Sequence, residues 1–334
     1  MAKSKINWLL ILQGWAMLWV VIGHAPLGEP GSGHVWENDL YHFAYSFHMP
    51  LFMLVSGWLF YFTRLRISGL NSTWGGYKWP YNLIVKDKAL RLLLPGLVFS
   101  LVALTLKMAF PVEMTRETRI SLNSLAHSYL YPYDNAFREL WFIITLFWFF
   151  VLTPVWKIVL RKEWTMWAML VLLVISHLWH PKTEFLCVGK VFNYAIWFYT
   201  GLIISKIDLV SKYFERYYWQ TFLMGIIVYV TGRLTHPFVA IVGGITLSFG
   251  LSLIADKYLP KMFCGFRNYT YQIFLMGIFA QIFVKIIYNH LHTPYVLTFL
   301  LCIAAGLYVP VMVSKIIEYM NWSPLFLCMG LKKR

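Results

Sequence analysis

Charge is scarce in this chain. Asp, Glu, Lys and Arg make up 13% of its 334 residues, against roughly a quarter in a soluble domain. The length therefore does not read as two or three soluble domains. The longest polar stretches, Thr63 to Leu90 and Pro111 to Arg138, are loop-sized. Acidic residues are scarcer than basic ones, 14 against 29, for a net charge of +15. In a soluble chain that excess points to nucleic acid. Here Lys and Arg fall in short connecting segments, the mark of membrane topology, and no nucleic acid partner is expected. Cysteine is sparse as well. Cys187, Cys264, Cys302 and Cys328 stand far apart with no CxxC spacing, which argues against a disulfide framework or a metal site. No internal repeat is visible, so the repeat signature of many transporters is missing.

Apolar residues dominate instead, at 59%, with a mean hydropathy of +0.61. Windows of spanning length cover 6–26, 45–62, 92–110, 140–157, 164–180, 190–205, 219–233, 237–255, 269–288 and 295–317. Lys3 and Lys5 ahead of the first window mimic a signal peptide. The uncharged run from Ile6 to Gly28 is too long for one, however, and contains Gln13, Trp15 and His24. It reads as a retained first span. With the N-terminus inside, alternation places most of the Lys and Arg residues on the same side. These include Arg64, Arg66, Lys78, Lys86, Lys88 and Arg91 after the second window. The 27–44 loop has no Lys or Arg but has Glu29, Glu37 and Asp39, and 289–294 has no fixed charge. The asymmetry predicts an all-α integral membrane protein, a polytopic bundle of about ten transmembrane helices with both termini cytoplasmic. It forms one membrane-embedded domain over 1–334, with lipid around it and no separate soluble domain. The sequon Asn71-Ser72-Thr73 falls on the inside and is discounted. Many Trp and Tyr residues, within the 19% aromatic content, are expected at the interfaces.

The polar residues inside these runs are the candidates for chemistry. An ionisable side chain in a span is costly and marks function by default, and histidine is suited to proton transfer near neutral pH. Eleven residues at 100° each put Gln13 and His24 on one helix face, roughly 16 Å apart. The stripe they form reads equally as function or as hydrogen bonding between helices. The second window opens with Phe47-His48-Met49-Pro50-Leu51-Phe52, followed by Ser56-Gly57. The proline is expected in the first helical turn, with His48 at the outer level of His24. His34 and His42, in the outer loop, are expected to be solvent-exposed. Lys86, Lys88 and Arg91 open the third span on the inside. Such a cluster suits the phosphates of coenzyme A or serves as a membrane anchor. Glu139, next to Arg138, stands before the fourth span. It either orients an imidazole or pairs with its neighbour.

Taken in order, these segments resemble the integral-membrane acyltransferases of acyltransferase family 3, which O-acylate sugars and cell-envelope polysaccharides. The resemblance covers nearly the whole chain. Gln13-Gly14 through Gly23-His24 resembles the first-span motif, an Arg separated by ten residues from a His. Phe47 to Phe52 with Ser56-Gly57 resembles the second-span motif and is the most specific match. Arg91-Leu92-Leu93-Leu94-Pro95, Leu140-Trp141-Phe142 and Asn268 to Leu275 resemble later signatures. Two positions depart from the family pattern: Gln13 replaces the Arg, and Gly277 stands where many members have a His.

The resemblance implies a donor, acetyl-CoA or another acyl-CoA, bound from the cytoplasm near Lys86, Lys88 and Arg91, with its pantetheine arm along the Gln13 face. It implies His24 as general base, with His48 and Glu139 assisting. The acceptor is a hydroxyl of an envelope glycan or lipid-linked sugar, and the setting is a bacterial inner membrane. Two other classes stay open. One is a proton-coupled transporter, which the lack of repeats and of deep acidic residues disfavours. The other is a non-catalytic family member in which Gln13 marks lost donor binding.

Overall fold

A computed structural model describes residues 6–26, 35–66, 81–109, 122–291 and 294–331. The chain ends, His34, Lys78 and the sequon at 71–73 lie outside the described residues. Among those described, regular structure is entirely helical.

The chain divides into two compact units. The first comprises Met1–Val55 and Asp208–Met320, the second Ser56–Ile207 and Asn321–Arg334. The first unit holds helix α1 (Asn7–His24) and most of α2 (Val35–Phe60). The second holds α3 (Tyr81–Lys88), α4 (Leu94–Ala109), α5 (Leu122–Leu130), α6 (Leu140–Val151), α7 (Thr153–Val159), α8 (Glu163–Leu178) and α9 (Val188–Lys206). The chain then returns to the first unit for α10 (Tyr218–Leu234), α11 (Pro237–Tyr258), α12 (Thr270–Leu291) and α13 (Tyr295–Met320), and α14 (Ser323–Cys328) follows in the second.

Each hydrophobic window carries a helix among the described residues, but the helices differ in reach. Among the described residues, seven are long and apolar enough to cross a membrane: Asn7–His24, Asn38–Leu65, Tyr81–Ala109, Phe185–Lys206, Pro237–Tyr258, Thr270–Tyr288 and Tyr295–Met320. The pair α6 and α7, bent by 51°, makes an eighth if it is one broken span. The bend has a cause at Pro154, which has no N–H for the Phe150 carbonyl. The Thr153 hydroxyl donates to that carbonyl instead, at 2.5 Å. The windows at 164–180 and 219–233 form helices of 16 and 17 residues. At 1.5 Å per residue these reach about 24–26 Å, short of a hydrocarbon core about 30 Å thick. The structure thus supports seven or eight of the ten expected spans.

Outward faces of these helices are apolar, as lipid requires. Trp164, Val171, Leu172 and Ile175 on α8 and Leu223, Ile227 and Val230 on α10 are exposed. Inside the first unit, α10 and α11 pack backbone against backbone. A Cβ on Gly225 or Gly232 would overlap the backbone of Leu247 or Ala240, and one on Gly243 or Gly250 that of Tyr229 or Phe222. Small residues allow this approach, and van der Waals contact then holds helices that gain no hydrophobic drive from lipid.

The second span departs from the sequence expectation. Its helix begins at Val35, so Pro50 lies inside it and not in the first turn, and His48 is well within the helix. The polar residues of 35–44, expected as loop, are part of this helix. His42 is on this helix, and it is exposed as expected.

Candidate active site

The first-unit site starts at the end of α1. Pro26 has no N–H to continue the ladder, and the Ile22 carbonyl takes the Ala25 N–H at 3.1 Å. His24 is therefore the last residue of α1. Gln13 lies on the same helix, half-buried.

Tyr45, on α2, brings the two histidines to a common neighbour. Its ring lies edge-on to His24 with centroids 6.0 Å apart. It lies edge-on to His48 at 5.0 Å. Tyr41 stacks on Tyr45 at 4.1 Å and fixes its plane. Gly23 makes room, since a Cβ there would sit 2.8 Å from Tyr45 Cε2. His24 is half-buried and His48 is 2% exposed. His48 Nδ1 lies 2.5 Å from the Ala44 carbonyl one turn back. A carbonyl oxygen only accepts, so Nδ1 carries the proton, and in the neutral ring Nε2 presents a lone pair.

Two further polar residues come from α12. Gln281 Nε2 donates to the Val21 carbonyl at 2.8 Å. Lys285 Nζ donates to the carbonyls of His24 and Pro26 at 2.9 and 2.6 Å. Sequence reasoning passed over this pair. The signal was present in Phe279-Ala280-Gln281-Ile282-Phe283-Val284-Lys285, a polar pair four residues apart in an apolar run.

The remaining candidates lie in the second unit. Arg91 Nε meets Asp87 Oδ1 at 2.7 Å, and Arg64 Nη2 meets Asp87 Oδ2 at 3.5 Å. Both arginines sit in wide π-helical turns, Ala89–Leu93 and Tyr61–Leu65, which recur at functional sites. Lys88 Nζ lies 4.0 Å from the Phe150 ring centroid, and Lys86 is exposed. Of the three expected basic residues, Arg91 meets a carboxylate, Lys88 lies over an aromatic ring and Lys86 faces outward.

Glu139 directly precedes α6 and is half-buried. Burial pushes its carboxyl above the ordinary carboxylate value, against the lowering effect of Arg138 beside it. Arg138 thus acts on Glu139 through its charge, with no ion pair between the two among the described residues. Asn135 is buried four residues before Glu139. Its Oδ1 accepts from Ser100 Oγ at 2.6 Å and the Phe137 N–H at 2.9 Å, and its Nδ2 donates to Ser128 Oγ at 3.1 Å. Beyond Glu139, Trp141 and Tyr133 lie nearly parallel, at 9°. Lys190 Nζ is 5.5 and 5.6 Å from their ring centroids.

Long apolar helices with lipid-type outer faces, enclosing histidine, lysine and glutamine, define a multi-pass helical membrane protein with a polar interior site. The chain belongs to acyltransferase family 3, whose acyltransferase domain matches residues 6–315. It is similar to the nodulation protein NolL of Mesorhizobium japonicum, 28% identical over 218 residues. That match takes in 60% of this chain and 52% of NolL, so it spans about half the length of that relative. No solved structure matches the chain. The family supports acyl transfer in general.

Proposed function

We propose that the chain is a membrane-bound O-acyltransferase. It moves an acyl group, acetyl foremost, from cytoplasmic acyl-CoA to a hydroxyl of an envelope glycan or lipid-linked sugar in a bacterial inner membrane. The observation that carries the reading is the convergence of His24 and His48 on Tyr45, in a chain of an acyltransferase family.

In this reading His24 is the general base. A neutral imidazole takes the proton of the acceptor hydroxyl as its oxygen attacks the thioester carbonyl. The C–O bond forms, the C–S bond breaks, and the imidazolium returns the proton to the leaving thiolate. His48 holds the acceptor or tunes His24, and Glu139 assists as a carboxyl group. Lys86, Lys88 and Arg91 bind the phosphates of the donor, which a guanidinium engages in bidentate fashion. Gln13 lines the path of the pantetheine arm.

The test is His24→Ala in the full chain, with labelled acetyl-CoA supplied to host membranes and label counted in the glycan fraction. Loss of transfer by an intact, membrane-inserted variant is expected; undiminished transfer overturns the reading. Gln13 favours one other reading, a non-catalytic member, because an amide lacks the fixed charge and five donors of the family's Arg. Activity that arises only in Gln13→Arg would establish that alternative.

A further inference from the structure

A lysine inside a membrane span is expensive, so the partners of Lys285 are informative. Helix ends leave their last carbonyls without N–H partners. At the end of α1 those carbonyls are taken up by α12. Gln281 holds Val21, and Lys285 holds His24 and Pro26. Gln281 and Lys285 stand four residues apart and so share one face of α12. The ammonium also meets the negative end of the α1 dipole.

Neighbouring residues are cut to fit. Gly306 on α13 leaves the space that Gln281 occupies. A Cβ there would lie 2.8 Å from Val21 Cγ1 and 3.0 Å from Gln281 Nε2. From the other direction, Tyr45 meets the His24 ring. His24 is thus fixed through its backbone from α12 and against its ring from α2.

We propose that Lys285 is a positioning residue for His24, with Gln281 as a second anchor one turn away. It holds the last turn of α1 so that the imidazole keeps its aim at the acceptor hydroxyl. The inference rests on the reading of His24 as the base.

The experiment compares Lys285→Met and Lys285→Arg with His24→Ala in the full chain, using labelled acetyl-CoA and host membranes. Misplacing a catalytic group by a fraction of an ångström to an ångström is costly in rate. Lys285→Met is therefore expected to lower kcat by about tenfold or more, with the KM for acetyl-CoA unchanged. Lys285→Arg regains most of the rate, because a guanidinium can donate to both carbonyls. As a readout separate from turnover, carbethoxylation of His24 by diethyl pyrocarbonate is followed by mass spectrometry. Its rate shifts in Lys285→Met and returns in Lys285→Arg.

Wild-type kcat in Lys285→Met, beside an inactive His24→Ala, overturns the inference and leaves the base reading intact. Equal losses in the Met and Arg variants with unchanged His24 modification also overturn it. Full transfer in His24→Ala overturns the base reading itself. If Lys285→Met does not accumulate in the membrane, Gln281→Leu carries the same test, with a smaller loss of kcat expected and wild-type kcat overturning the inference.

Discussion

Tyr45 meets His48 edge to face, with ring centroids 5.0 Å apart and planes at 90°. The same ring meets His24 at 6.0 Å and 69°. Contacts of this kind are worth about 0.5–1.5 kcal/mol each beyond the area they bury, and here they tie two histidines from different helices to one side chain. Tyr45→Ala is expected to lower acyl-transfer turnover by about tenfold, while Tyr45→Phe keeps most of it because the ring remains. Equal rates for wild type and Tyr45→Ala would show that the ring does not organise the site.

Arg91 presents a different case. Its side chain is 44% exposed, so its pair with Asp87 contributes little to stability, about 0–1 kcal/mol. Loss of one charge-assisted hydrogen bond to a donor phosphate costs about 1.5–3 kcal/mol. Arg91→Met is therefore expected to raise the KM for acetyl-CoA tenfold or more by that estimate, while thermal stability in detergent hardly moves. An unchanged KM would remove Arg91 from the donor site.

Gly57 lies where a Cβ would overlap the Phe198 carbonyl. Backbone cannot yield as a flexible side chain can. Gly57→Ala is expected to cost about 1–3 kcal/mol or more, seen as a lower midpoint in thermal unfolding. An unshifted midpoint would mean that the two segments separate at no cost.

Glu139 should make stability depend on pH. Burial raises its carboxyl pKa in the folded chain, so the folded state holds the proton more tightly than the unfolded state. The associated stability is fully present below the unfolded value, about 4.3, and is lost as pH rises through the raised folded value. Glu139→Gln removes that loss. Its unfolding midpoint relative to wild type should rise as pH is taken from acidic to neutral. A constant offset across that range would contradict the assignment.

Much of the architecture was legible because lipid demands one type of element. Apolar runs bounded by Lys and Arg read as helices and fold as helices. The start of α2 was not legible. Asn38, Asp39, Tyr41 and His42 look like loop, yet the helix beginning at Val35 carries them. The site was legible in part. His24 and His48 stand out as costly residues in apolar runs. Lys285 stands out in the same way, but its role was not legible, since that depends on a carbonyl 261 residues away.

The sequence alone determined a helical membrane protein, its family motifs and the identity of its expensive polar residues, because hydrophobic length and the cost of burying charge are local quantities. Only the tertiary structure decided which of those residues meet. It joined His24 and His48 through Tyr45, turned Arg91 onto Asp87, and set Lys285 on the carbonyls that end α1. Such partnerships are fixed by helix packing, where glycines let backbones close and unpaired carbonyls find donors on neighbouring helices. No local pattern specifies that outcome.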